Sequence, residues 1–233
     1  MISKLSNILN DINTVLLPRL CFGCNARLYR GEQLLCTLCR NQLPLTEYTF
    51  NEENAVDRIF YGRIPVEKAA SFLFYQEKGI VKNLIHTLKY RNQPQIGAFL
   101  GEWWGELLKS SGLGEQIECI IPVPLHPAKL RQRGYNQVTP FAKSLGAKLQ
   151  VPMLESILIK TSNTRTQTRK KRWYRWQSSR DHYRLAKGTK IEGKKVLLVD
   201  DVITTGATLE ACTRALKKAR GTRVFIATMA VVP

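Results

Sequence analysis

The sequence predicts an α/β protein with a mostly parallel sheet, helices on both faces of that sheet, and a small N-terminal four-cysteine module. Apolar strands alternate with helical patterns of about ten to fifteen residues, which is typical of parallel sheets. One strand ends in an acidic pair and a threonine-rich turn that opens a helix, and four cysteines stand as two close pairs near the N-terminus. The 233 residues suffice for one such core and a small extra module.

Each element follows from its local pattern. Strands are expected where short apolar runs are bounded by turn residues, as in IECIIPV before Pro124. Helices are expected where apolar residues recur every three or four positions, as Ile80, Leu84 and Leu88 do. The expected strands are 69–75, 117–123, 157–160, 182–186, 195–200 and 223–231. The expected helices are 80–90, 95–109, 135–148 and 209–219, and the polar segment 41–60 is expected to be a connection.

The N-terminal segment carries no secretion or membrane signal. Its first twenty residues lack a compact apolar run before small residues, and no run in the chain approaches the roughly 18 apolar residues of a membrane span. The sequence therefore predicts no integral membrane segment. Apolar residues recur at steps of three and four between Ile2 and Leu16, which favours a helix docked on the protein's own core over one on a membrane surface.

The net charge of +18 is concentrated in one part of the chain. With 44% hydrophobic and 23% charged residues, the composition is that of a globular protein and excludes a disordered or low-complexity chain. Residues 121–190 contain sixteen basic and two acidic side chains. A concentrated charge of this kind raises a local potential that attracts polyanions. We therefore expect an anionic partner, either a phosphorylated metabolite or a nucleic acid or both.

The six cysteines divide into a group of four and two single residues. Two C-x2-C pairs separated by eleven residues supply the soft ligands of a closed, structural Zn²⁺ site, with the expected ligands Cys21, Cys24, Cys36 and Cys39. Disulfides are the competing interpretation, but the missing signal and the two leftover thiols indicate a reducing, cytoplasmic location. Cys119 and Cys212 are expected to be small core residues.

The segment KVLLVDDVITTGATL combines a strand, an acidic pair and a turn that opens a helix. The first N–H groups of a helix lack internal partners, so the turn is expected to bind a phosphate through Thr204, Thr205, Gly206, Ala207 and Thr208. The carboxylates of Asp200 and Asp201 are acceptors for two vicinal hydroxyls. N–H groups that donate to a phosphate, beside carboxylates that accept from two hydroxyls, indicate a ribose 5-phosphate site at the carboxyl end of the sheet.

That segment resembles the phosphoribosyl pyrophosphate signature of type I phosphoribosyltransferases. Together with LLPRLCFGC, LIHTLKYRNQPQIG, PVPLHPAKLRQRGYNQ and the four-cysteine module, it makes the whole chain similar to the ComF family. The resemblance implies a zinc-binding module at 1–60 and a type I phosphoribosyltransferase-like domain at 61–233. It also implies a role in DNA uptake during competence, with a DNA-uptake helicase as a partner.

The resemblance also implies roles for individual residues. Asp200 and Asp201 would hold the ribose hydroxyls, and Thr204–Thr208 the 5-phosphate of phosphoribosyl pyrophosphate. The segment 122–133 would contribute to the pyrophosphate-binding loop, where Arg131 and Arg133 offset charge on the leaving group with Mg²⁺ bound mainly by the substrate. The segment 161–181 would be a mobile loop, in which Ser178 stands where members carry Asn.

The loop itself mixes cations with aromatic residues. Residues 165–184 contain eight basic side chains, more than one pyrophosphate needs, interleaved with Trp and Tyr. Cations among stacking platforms are typical of single-strand binders. The expected contacts to single-stranded DNA are Lys170, Lys171, Arg172, Trp173, Arg175 and Trp176. The alternative is that Trp173 and Trp176, three residues apart, pack on the core.

Two functions of different classes remain open at the level of the sequence. The first is a phosphoribosyltransferase that acts on an unidentified nucleophile, favoured by the acidic pair and the threonine turn. The second is a non-catalytic single-stranded DNA-binding protein whose ribose-phosphate site is a sensor or grips a strand, favoured by the basic stretch and its aromatic residues. The same fold can serve either function.

Overall fold

The computed structural model describes residues 18–161 and 182–233. Within these ranges the strands are β1 Ala69–Phe74, β2 Cys119–Pro122, β3 Leu158–Lys160, β4 Tyr183–Leu185, β5 Lys195–Ile203 and β6 Arg223–Val231. Strands β1, β6, β5 and β2 form, in that order, one parallel sheet, and β3 pairs with β4 as an antiparallel ribbon. The expectation of a mostly parallel sheet is confirmed.

The helices in the same ranges are α1 Thr37–Asn41, α2 Ala55–Phe60, α3 Ile80–Tyr90, α4 Pro94–Lys109, α5 Leu113–Gln116, α6 Pro127–Arg133, α7 Val138–Leu149 and α8 Ala207–Leu216. Helices α1, α2, α5 and α6 were not expected, whereas the four expected helices, now α3, α4, α7 and α8, begin and end within about three residues of their expected positions. The last one starts two residues earlier than expected, directly after Gly206, and so lies closer to the acidic pair.

The sheet is buried on both faces, which explains why its strands are apolar runs without alternation. In β5, Leu197 and Val199 face a core shared with α3, α4 and α7, whereas Val196 and Leu198 face a core shared with α2 and α8. All four side chains are fully buried. Helices on both faces of a parallel sheet are the expected way to cover such strands.

The polar segment 41–60 is more ordered than the connection that the sequence predicts. Its residues Asn54 and Asp57 form a capping box at the start of α2, in which Val56 N–H donates to Asn54 Oδ1 at 2.8 Å. Asp57 Oδ1 also accepts a bond from Ala69 N at 2.7 Å, and Phe60 is fully buried. The polar residues that indicate a connection therefore cap a helix and tie it to β1. The division of the chain after residue 60 remains a prediction.

Both edges of the sheet are paired with irregular segments. Beside β1, Thr46 N–H donates to Phe72 O and Phe74 N–H donates to Pro44 O. Beside β2, the chain around Met153 runs parallel to Ile120. Paired edges remove free N–H and C=O groups that would otherwise join another sheet.

Helices α4 and α7 approach each other closely because α4 carries glycine every fourth residue. A Cβ atom at Gly101 would overlap the carbonyl oxygen of Phe141, and one at Gly105 would lie 2.7 Å from Lys148 Cβ. The packing of the two helices therefore needs glycine at these positions. Within the residues that the structure describes, no helix is long and apolar enough to cross a membrane.

Candidate functional site

The four N-terminal cysteines come together as expected. Their sulfur atoms all lie within 4.8 Å of one another, and Cys24 Sγ and Cys36 Sγ are 3.7 Å apart. A tetrahedral ion with Zn–S bonds of about 2.3 Å places its sulfurs about 3.8 Å apart, so the spacing suits a metal of this size. The cluster can therefore hold a metal ion such as zinc, with all four positions filled by sulfur.

Backbone donors and burial set the chemistry of these thiols. Cys36 N and Gly23 N both point at Cys21 Sγ, at 3.3 and 3.4 Å. Burial disfavours the thiolate of Cys21, but these N–H donors outweigh it and lower its pKa to about 7. Burial and the neighbouring thiols raise the pKa of Cys39 well above its usual range. Four thiolates this close thus need a cation to neutralise them.

The cysteine cluster is docked on helices α3 and α4. Asn83 Nδ2 donates to Gly23 O at 2.7 Å, and the guanidinium of Arg40 lies 5.0 Å from the ring centroid of Trp103. A Cβ atom on Gly23 would stand 2.9 Å from Cys39 Sγ, so glycine is needed beside the cluster. The remaining thiols, Cys119 and Cys212, are buried in the sheet core as expected.

The turn after β5 forms as the sequence predicts. The hydroxyl side chains of Thr204, Thr205 and Thr208 are exposed around it, and Gly206 adopts a φ of 75° that L side chains rarely adopt. Gly206 is the N-cap of α8 and has no side chain to satisfy the N–H groups of the first turn. Ala207 N–H makes only a long contact of 3.5 Å with Thr205 Oγ1, so an anion could bind these groups at the positive end of the helix dipole.

An arginine that the sequence analysis does not single out supports this turn. Arg63 Nη1 donates to Thr205 O at 2.7 Å, and the same guanidinium donates to Glu210 Oε2 at 2.7 and 3.1 Å. Arg214 pairs with the other oxygen of Glu210 at 2.8 Å. These contacts hold the turn after β5 in place between the end of α2 and the first turn of α8.

Asp200 and Asp201 lie inside β5, which runs on to Ile203 instead of ending at the acidic pair as expected. Asp201 is buried, with Oδ1 accepting from Lys89 Nζ at 2.9 Å and Oδ2 accepting from Gln137 Nε2. Asp200 is half-buried and accepts from the N–H of Asp201 at 2.9 Å. The two carboxylates thus have different partners, although they are adjacent in the chain.

The surroundings of Asp200 favour its protonated form. Burial and the negative charge of Asp201 raise its pKa to about 7. Lys160, at the end of β3, contributes an opposing positive charge and lies 5.0 Å from the ring centroid of Tyr183 on β4. The β3–β4 ribbon therefore brings a cation and a phenol to the same edge of the sheet as the acidic pair.

A cavity of about 430 Å³ lies between the end of α3 and α6, next to this edge. Its charged lining consists of Lys89, Lys129 and Arg133, and Tyr90 and Asn92 complete the wall of α3. The expected pyrophosphate segment thus contributes Arg133 to a cationic cavity, while Arg131 is exposed on α6 and is not among the residues lining it.

Polar contacts connect the two sides of this cavity to the acidic pair. Arg133 Nη1 donates to Gln137 Oε1, and its guanidinium lies 5.6 Å from the ring centroid of Tyr90. Gln137 in turn donates to Asp201, and the hydroxyl of Tyr135 donates to Leu88 O. Lys89 and Gln137 are site residues that the sequence reasoning missed. Both lie in the segments quoted for the family resemblance, but such a segment does not show which partner a polar residue finds.

The expected nucleic-acid contacts Lys170, Lys171, Arg172, Trp173, Arg175 and Trp176 lie outside the described residues, as do the N-terminal helix predicted at 2–16 and most of the predicted mobile loop at 161–181.

The fold and the turn after β5 define a phosphoribosyltransferase-like domain, and residues 139–232 match the phosphoribosyl transferase domain family. Competence protein F of Haemophilus influenzae is 33% identical over 209 residues, which cover 85% of this chain and 90% of the relative. The chain belongs to the competence protein F, or ComF, family. Competence protein ComFC of Bacillus subtilis is 24% identical over 200 residues, covering 85% of this chain and 78% of that protein.

Two solved structures illustrate the likeness of this chain to known proteins. One is a glutamine phosphoribosylpyrophosphate amidotransferase from B. subtilis, with 20% identity, a TM-score of 0.40, and coverage of 62% of this chain and 30% of that chain. Another is a purine phosphoribosyltransferase from Pyrococcus horikoshii, with 20% identity and a TM-score of 0.34. The match covers 55% of this chain and 75% of that chain.

Proposed function

We propose that the protein binds phosphoribosyl pyrophosphate at the carboxyl edge of its sheet. The observation that carries the proposal is the uncapped first turn of α8, with its exposed threonines, beside the acidic pair of β5. A 5-phosphate would bind at Thr204–Thr208, and Asp200 and Asp201 would accept the ribose hydroxyls. The neighbouring strand β2 leads into α6 and its cationic cavity, which is suited to the pyrophosphate.

Transfer chemistry at this site would depend on electrostatics. Lys129 and Arg133 would offset the charge that develops on a departing pyrophosphate, helped by the nearby exposed Arg131 of α6, while the carboxylates stabilise positive charge on the ribose. Of the acidic pair, Asp200 is the partly exposed carboxylate, so it fits a role in contacting Mg²⁺ that arrives with the ligand. Mg²⁺ supplies further charge neutralisation on the pyrophosphate when bound.

We also propose that the metal held by the cysteine cluster is a structural Zn²⁺ ion. The four-sulfur donor set and the 3.7 Å spacing of Cys24 and Cys36 support it. Elemental analysis should find about one zinc per chain. Zinc should be lost in a variant that carries both Cys21→Ser and Cys24→Ser. It should be kept in Cys119→Ala, because the Cys119 thiol is buried in the sheet core and is not part of the cluster.

A second candidate function is single-stranded DNA binding, which the sixteen basic and two acidic residues of 121–190 favour. Two relatives are named competence proteins, so we propose that the ligand-binding domain serves DNA uptake. A DNA-uptake helicase as partner and a cytoplasmic location remain predictions from the resemblance and the unpaired thiols.

The first proposal is tested by calorimetry with phosphoribosyl pyrophosphate and Mg²⁺, followed by a screen of nucleobases for pyrophosphate release. Asp200→Asn with Asp201→Asn should replace the charged diol acceptors with neutral amides and weaken binding at least about tenfold while the strand core stays intact. The matched control is Glu52→Gln with Glu53→Gln. These two residues are also an adjacent acidic pair, but they are exposed and distant in the chain from Asp200 and Asp201. If the folded Asp variant binds as tightly as wild type, the assignment is wrong.

A further inference from the structure

The ion pair between Lys89 and Asp201 occupies the place where the proposed ligand would bind. Lys89 Nζ is 2.9 Å from Asp201 Oδ1, and the two side chains are only 23% and 10% exposed. Gln137 takes the second carboxylate oxygen. Both oxygens of Asp201 therefore have partners, and because the Asp201 side chain is nearly buried and Lys89 lies against Oδ1, moving Lys89 away opens Oδ1 to a ribose hydroxyl.

Lys89 also lines the cavity into which it would move. It contributes to the α3–α6 cavity beside Lys129 and Arg133, and to a second cavity of about 310 Å³ that Thr204 and Asp201 also line. The ammonium group thus stands between the cationic cavity and the acidic pair. A flexible four-carbon stem allows it to serve either side.

We propose that Lys89 is a specificity-determining residue that makes this site select a ligand with a diphosphate group. The inference rests on the proposed function. A diphosphate in the α3–α6 cavity attracts the Lys89 ammonium, which releases Asp201 Oδ1 for a ribose hydroxyl. Ribose 5-phosphate has no diphosphate, so it must break the Lys89–Asp201 pair without offering Lys89 a replacement, and breaking such a pair leaves a costly unpaired charge.

Gln137 keeps Asp201 in position during this exchange. Its amide oxygen accepts from Arg133, whose guanidinium stacks on Tyr90, and its amide nitrogen donates to Oδ2. Gln137 is itself buried. The carboxylate therefore keeps one fixed partner while the other oxygen changes from Lys89 to the ligand.

The test compares the affinities for phosphoribosyl pyrophosphate and for ribose 5-phosphate, by calorimetry in one Mg²⁺ buffer. In Lys89→Gln, the ratio of the two affinities should fall at least about tenfold, the loss expected for one charge-assisted hydrogen bond. Most of the fall should come from weaker binding of phosphoribosyl pyrophosphate. Pyrophosphate alone should also bind more weakly to the variant. Lys143→Gln, at an exposed position of α7, should leave the ratio unchanged. An unchanged ratio in folded Lys89→Gln would overturn the inference, as would an equal loss for both ligands.

A second variant guards against misfolding caused by the unpaired Asp201. Lys89→Gln with Asp201→Asn replaces the buried ion pair with two amides, and its ratio of the two affinities should stay at least about tenfold below that of wild type, because Lys129 and Arg133 still favour the diphosphate but no cation remains to be exchanged. A wild-type ratio in this variant would refute the role of Lys89. If wild-type protein binds neither phosphoribosyl pyrophosphate nor pyrophosphate, the proposed function itself fails, which is distinct from either result with the variants.

Discussion

Asp200 and Asp201 show how two identical side chains acquire different properties within one strand. Successive residues of a strand point to opposite faces of the sheet. Asp201 lies between Lys89 and Gln137. Asp200 lies near Lys160, and its burial and the charge of Asp201 raise its pKa. A ligand that needs both carboxylates therefore meets one that is paired and one that holds a proton up to neutral pH.

The raised pKa of Asp200 predicts a specific dependence of stability on pH. Between about pH 4 and pH 7 the native chain holds a proton on Asp200 that the unfolded chain has released, so this group lowers the free energy of unfolding as the pH rises through that window. Asp200→Asn removes the effect. Between pH 5 and pH 8, the free energy of unfolding of the variant should rise by about 1–2 kcal/mol relative to that of wild type. One pKa unit corresponds to about 1.4 kcal/mol, and the partial exposure of Asp200 screens part of the effect.

Urea unfolding of both proteins at several pH values measures this difference, and effects of the cysteine cluster cancel in the comparison. Glu155→Gln, at an exposed position, is the matched control and should follow wild type throughout. Parallel stability curves for Asp200→Asn and wild type would show that Asp200 ionises normally in the folded chain.

At the scale of elements, the contact between α4 and α7 depends on glycine. Gly97, Gly101 and Gly105 lie four residues apart on the face of α4 that meets α7. Because α7 begins directly after Gln137, this contact also positions the amide that holds Asp201. Helix packing far from the turn after β5 therefore determines where one of the site residues lies.

Two alanine substitutions on that face should have opposite effects. Gly101→Ala places a methyl group against the carbonyl oxygen of Phe141, so the helices must separate, at a cost of about 1–3 kcal/mol in the free energy of unfolding. At Gly97 the nearest atoms would lie 3.4 Å from the new methyl group, an ordinary contact. Gly97→Ala should be neutral or should stabilise by up to about 1 kcal/mol through helix propensity.

Chemical denaturation of the two variants decides this prediction, and each protein serves as the control for the other. Equal stability of Gly101→Ala and Gly97→Ala would mean that α4 and α7 do not pack as closely as the structure indicates.

At the scale of the whole molecule, positive charge gathers at the edge of the sheet where the strands end. Lys89, Lys129 and Arg133 line one cavity there, and Lys160 lies near the acidic pair. The sequence adds the cations of 162–181, which follow directly after β3. These cations lie outside the described residues, and the described ones, Lys89, Lys129, Arg133 and Lys160, raise a positive potential at this edge.

Single-stranded DNA binding through 121–190 should depend strongly on salt. Each neutralised phosphate contributes about −0.7 to the slope of log affinity against log salt, so roughly five contacts should weaken binding by about two decades for a fourfold rise in salt. Replacing Lys170, Lys171 and Arg172 by Ala should flatten the slope. Replacing Trp173 and Trp176 by Ala should lower affinity by about 1–3 kcal/mol per lost stack and keep the slope.

Fluorescence titrations with an oligonucleotide at several salt concentrations measure both quantities. Salt-insensitive binding, or binding that neither set of substitutions changes, would refute the nucleic-acid function and leave the basic stretch to the pyrophosphate.

The sequence by itself determined the features that depend on residues close together in the chain. The individual strands, the spacing of the four cysteines and the turn after β5 each follow from a pattern shorter than about twenty residues, because propensity, knuckle geometry and helix termini are local properties. The ComF resemblance likewise follows from contiguous segments.

Only the tertiary structure decided which distant side chains meet. Lys89 and Gln137 are 112 and 64 residues from Asp201 in the chain, and nothing local distinguishes Lys89 from the exposed lysines around it. Likewise, only the fold shows that Asn54 Nδ2 donates to Ala69 O, fifteen residues away, and so ties α2 to β1. A partner is chosen by the three-dimensional arrangement of the helices around the sheet edge, because the energy of a buried ion pair depends on where each side chain is held and on how much water surrounds it.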